Sequence, residues 1–137
     1  MAYIRSERLE QCLDGFLMAC HVIKKDFENG HSFIGTPLVV NAAFAAELSL
    51  KRLIERATGK PVKGHKLKEL WDQIDPAVQA KVVPLVCVPI PLDVSRFDEY
   101  LDKCSTTFVD WRYMYEKSDN FSNYLFLLNL ATELRRH

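Results

Sequence analysis

Apolar residues recur along this chain at steps of three and four, with charged residues filling the opposite positions. That spacing is the signature of amphipathic helices. Leu9, Cys12, Leu13, Phe16, Cys20, Ile23 and Phe27 make the first stripe and predict a helix over 3–28, with Gly30 suited to a left-handed stop. Thr36-Pro37 reads as the cap and first position of a second helix. Its stripe runs Val39, Ala42, Ala43, Ala46, Leu50, Leu53, Ile54 and Ala57, and Gly59 and Pro61 end it. The alanines at 42, 43, 45 and 46 let a neighbouring helix approach closely.

After Gly64-His65 a short third helix turns Leu67, Leu70, Trp71 and Ile74 inward, until Asp75-Pro76 breaks it and starts another helical turn through Val82. The segment 82–92 holds Pro84, Pro89 and Pro91 and almost nothing polar, so it reads as an extended apolar strap lying on the bundle or on a partner. A fourth helix, capped by Asp93 or Ser95, is expected to reach Lys117 through Phe97, Leu101, Cys104, Phe108, Trp111 and Tyr115. Ser118-Asp119-Asn120 separates it from a fifth, in which Phe121, Tyr124, Leu125, Leu128 and Ala131 form one stripe and Leu127, Leu130 and Leu134 a second. Such a helix is buried on both faces, or buried once and used in an oligomer. The pattern predicts an all-α chain, one domain over 1–137, folded as an up-and-down bundle of four to five helices.

Composition sharpens this only slightly. The 137 residues carry 18 basic and 18 acidic side chains, so there is no basic excess to favour non-specific nucleic-acid binding. No run of about 18 apolar residues is apparent, so no transmembrane helix and no membrane partner are expected. The first seven residues do not read as a signal peptide, which makes the cytoplasm the default location. Cys12, Cys20, Cys87 and Cys104 form no CxxC pair and read as reduced, mostly buried thiols. His21, His31, His65 and His137 form no HxxxH or HExxH pair, so no metal and no cofactor are expected.

Three features carry candidate chemistry. Glu47 sits at the edge of the second stripe, either pairing outward with Lys51 or facing a polar site between helices. Arg112 stands among Phe108, Trp111, Tyr113 and Tyr115, with Glu47 across the helix interface or Glu116 beside it as partner, either as a structural ion pair that fixes helix register or as a site for phosphate or RNA. Between 51 and 68 lie seven basic residues against the single acid Glu55, either a solvated helix end or a surface for phosphate or an acidic partner.

The helix Asn41-Ala42-Ala43-Phe44-Ala45-Ala46-Glu47-Leu48-Ser49-Leu50-Lys51-Arg52-Leu53-Ile54, the element Gly64-His65-Lys66-Leu67-Lys68-Glu69-Leu70 and the segment from Phe108 to Glu116 together resemble the HEPN superfamily (higher eukaryotes and prokaryotes nucleotide-binding). The resemblance spans roughly residues 36–136. It implies a four- to five-helix bundle, commonly homodimeric, in a family whose members are metal-independent ribonucleases or bind nucleotides, RNA or partner proteins. The catalytic members carry an Arg followed, after a few residues, by a His on a late helix. Here Arg112 stands in that region, but Lys117, Ser118 and Asp119 follow it and no His does. The departure removes the expected proton-moving group. The resemblance therefore implies a non-catalytic binding protein, with Glu47, Lys51, His65, Arg112, Tyr113, Tyr115 and Glu116 as the binding residues. A ribonuclease with a non-standard site built on Arg112 with Tyr113, Tyr115 or His65 is the alternative.

Overall fold

The structure is a computed structural model that describes residues 2–105 and 123–137, with side chains described for 7–105 and 124–137. Arg112, Tyr113, Tyr115 and Glu116 lie outside the described residues, as does the expected Glu47–Arg112 contact. The described residues are mostly helical, and no strand occurs among them. The helices are α1 (Ala2–Glu28), α2 (Gly35–Thr58), α3 (Leu67–Trp71), α4 (Pro76–Cys87), α5 (Phe97–Cys104) and α6 (Asn123–Arg135).

Helix α2 is the spine. It packs along α1 on one side and α6 on the other, and α4 lies against α6. Phe16 stacks on Phe44 at 5.2 Å while Glu10 meets Arg52, so α1 and α2 run antiparallel. Ser49 donates to the Ala131 carbonyl and Arg56 to that of His137, so α2 and α6 run parallel. The small residues Ala42, Ala43, Ala45 and Ala46 are all buried, which is how α2 accepts a neighbour on two sides. Helix α6 buries Phe126, Leu127, Leu128, Leu130, Ala131 and Leu134, so described residues of both apolar stripes are covered within the chain, while Phe121 lies outside the described residues.

Several boundaries differ from the sequence expectation. The segment 82–92 is not an extended strap. Helix α4 runs through Pro84 to Cys87, and only 88–91 is turn. Val82 and Val86, one turn apart, are buried while Pro84 and Leu85 face outward, so the missing proline N–H lies on the exposed side. Thr36 does not cap α2: a short 3₁₀ turn, Ser32–Ile34, leads directly into Gly35 with no side-chain cap. Gly59 does close α2 in the left-handed region, at φ 71°, and its N–H bonds the Glu55 carbonyl. Asp93 caps a 3₁₀ turn, Val94–Arg96, by accepting from the Ser95 N–H, and α5 follows. Of the four cysteines three are buried and Cys12 is exposed.

The stretch Ser32–Thr58 is long and apolar enough to cross a membrane by length and composition, contrary to the expectation that no such segment exists. In the fold its apolar side chains are the core that α1 and α6 cover, and they share the helix with Glu47, Lys51 and Arg52.

Candidate functional site

Glu47 sits midway along α2 and is only 6% exposed. A buried carboxylate needs partners for both oxygens, and Glu47 has two. Its Oε1 lies 3.0 Å from Nδ1 of His65, and its Oε2 lies 3.4 Å from Nζ of Lys51, one turn further along. Glu47 therefore pairs with Lys51, as one expectation had it, but from a buried position, and its second partner comes from the coil after α2 rather than from a facing helix.

His65 arrives from the coil 59–66 that joins α2 to α3. Gly64, at φ 110°, makes the bend that returns the chain toward α2. That coil is tied down along its length. The Thr58 hydroxyl accepts from the Lys60 N–H at 3.2 Å, and Glu55 Oε1 accepts from the Val62 N–H at 3.3 Å. Val62 packs half-buried against the core. Beyond His65, the Ser105 hydroxyl of the turn after α5 accepts from the Lys68 N–H at 3.0 Å. His65 is thus placed by backbone on both sides, and 61% of its side chain is exposed above a buried acid.

Geometry assigns different tasks to the residues brought together. Both Glu47 oxygens are engaged within the protein, so Glu47 orients its neighbours. A carboxylate on Nδ1 favours the imidazole tautomer that carries its proton there. Of the three, the Lys51 side chain, 16% exposed, and the His65 ring are the parts that reach the surface.

The basic run 51–68 is divided by the fold. Lys51 is held by Glu47, Arg52 by Glu10 at 2.8 Å, Arg56 by the His137 carbonyl at 3.0 Å, and Lys68 by Asp72. Within the run, Lys60, Lys63 and Lys66 stand exposed with neither an acid nor a carbonyl as side-chain partner among the described residues.

A second polar cluster went unread in the sequence. Arg52 is 6% exposed and binds Glu10 of α1, while Arg135 of α6 binds Asp14 at 2.9 Å. The Arg52 hydrogen bond, with Arg135 and Arg56 nearby, holds the Glu10 carboxyl below its usual range. This network ties α1, α2 and α6 together at one end. Its signal was the spacing Ser49, Arg52, Arg56, steps of three and four that place a polar seam along one side of α2.

No group of three or more His, Cys, Asp or Glu side chains able to hold a metal ion occurs among the described residues. No family model, curated protein or solved structure matches this chain.

Proposed function

We propose that this all-α chain is a non-catalytic, HEPN-like binding or regulatory protein of the cytoplasm. In this reading it is an up-and-down bundle that acts as a homodimer and binds a nucleotide, RNA or partner protein in a toxin–antitoxin or phage-defence setting. The observation that carries the reading is the buried Glu47 holding Lys51 and His65 together. An acid placed under two cationic or titratable groups keeps them fixed for a ligand at low ordering cost. On the resemblance, Arg112, Tyr113, Tyr115 and Glu116 complete that site.

Isothermal titration of the full chain against ATP, GTP, AMP and a short oligoribonucleotide tests it. Binding should weaken by about tenfold or more in Lys51→Ala and His65→Ala, the loss of a charged contact of roughly 1.4 kcal/mol or more. Flat titrations for every nucleotide and RNA would reject those ligands and leave partnership with a protein.

One observation favours a second reading. A carboxylate that orients an exposed imidazole is the arrangement a general base requires. His65 oriented by Glu47, with Arg112, would then serve a metal-independent ribonuclease. Incubating pure protein with total RNA, with and without chelator, decides this. Cleavage that survives chelator and is lost in His65→Ala supports it, and intact RNA rules it out.

A further inference from the structure

We infer that the coil 59–66 is a docking track for a short acidic segment of a partner protein. The inference deepens the binding reading above by naming the partner's chemistry, and it rests on different residues.

Lys60, Lys63 and Lys66 recur every third residue on this exposed coil, and their ammonium groups have no acidic partner among the described residues. The other four basic residues of the run are taken up within the fold. The coil's position is fixed by bonds from Thr58, Glu55 and Glu47 on α2 and from Ser105 after α5. A segment docking there orders little that is not already ordered. The backbone N–H groups of Lys63, Gly64 and Lys66 also have no acceptor among the described residues, so they can donate to an extended peptide or its carboxylates.

The surroundings limit what fits. The cationic stretch is followed at once by exposed Glu69, Asp72 and Asp75. Asp72, Asp98 and Asp102 lie close enough to hold the Lys68 ammonium above its usual range. The positive track is therefore short and borders negative charge on its α3 side. A nucleic-acid strand carries a phosphate every ~3.4 Å, so it would run from the lysines onto the acids. The chain's zero net charge adds no long-range pull on a polyanion. A short acidic peptide matches both the length of the track and its charge.

Fluorescence anisotropy of the full chain with a labelled oligoglutamate peptide, and in parallel with an oligouridylate of equal charge, tests the inference. The peptide should bind more tightly than the oligouridylate. Lys60→Ala/Lys63→Ala/Lys66→Ala should weaken peptide binding by about tenfold or more, since three charge contacts are lost. The control triple variant Lys25→Ala/Lys81→Ala/Lys103→Ala, at lysines outside the coil, should leave it unchanged. These lysines are exposed, so melting of either variant should stay near wild type. No peptide binding, equal losses in both triple variants, or tighter binding of the oligouridylate would each overturn the proposal. Nucleotide titration of the coil variant separates the two claims: it should match wild type if the Lys51–His65 site binds on its own.

Discussion

At the scale of single residues, the fold turns on where Glu47 and Arg52, both buried, find partners. Glu47 is covered on α2 and satisfied by Lys51 and His65. Glu47→Ala would leave the largely buried Lys51 ammonium without its acid and should cost about 1–3 kcal/mol in a denaturant melt. A loss of about 0.5 kcal/mol or less, typical of a surface substitution, would show that the carboxylate is solvated instead. Glu10 makes a different prediction. Its folded-state pKa lies below its unfolded value, first because Arg52 donates a hydrogen bond to the charged form. Its contribution is therefore present above the ordinary carboxylate range and fades as pH falls through the depressed folded value. Glu10→Gln should be less stable than wild type at neutral pH, and the gap should close in acid melts below about pH 4. A gap that persists at low pH would assign the loss to packing.

At the scale of elements, the long helices were legible because their apolar stripes are unambiguous. The stripe Leu50 to Ile54 and the Gly59 stop place α2 correctly, and the paired stripes of α6 foretell its double burial. The proline segment was misread because three prolines in eleven residues outweighed a second signal, the helical spacing of Val78, Val82 and Val86. Pro76 falls at the first position of α4, where its missing N–H costs nothing, and only Pro84 interrupts the ladder. Pro84→Ala should restore one backbone hydrogen bond on the exposed side and raise stability by about 1–3 kcal/mol. A lower melting temperature in that variant would contradict a helix through position 84. The candidate site was legible in part for a related reason. Glu47 and Lys51 are neighbours on one helix and can be read from spacing, as can their chemistry. His65 joins them only because the Gly64 bend folds a coil back, and no periodicity reports that. The partner of Arg52 was hidden in the same way, since Glu10 lies 42 residues away on another helix.

At the scale of the molecule, α2 is the spine that α1 and α6 cover, and the Glu47, Lys51 and His65 cluster lies where the coil after it folds back. That core has a chemical readout. Burial pushes the Cys104 thiol up to about 12 and Cys20 to about 11, and it raises Cys87 as well. Thiolate is the reactive form, so near pH 8 a thiol reagent should label exposed Cys12 quickly and the other three only on unfolding. Rapid labelling of Cys20 or Cys104 in the native protein would contradict the packing of α1 and α5. The central claim, that Glu47, Lys51 and His65 form a ligand site, is tested most directly by following the His65 imidazole signals by NMR while a nucleotide or short RNA is added. The account predicts saturable shifts that centre on His65 and the α2 amides around Lys51 and vanish in Lys51→Ala. Shifts confined to other surfaces, or an imidazole spectrum unchanged at saturating ligand, would contradict it.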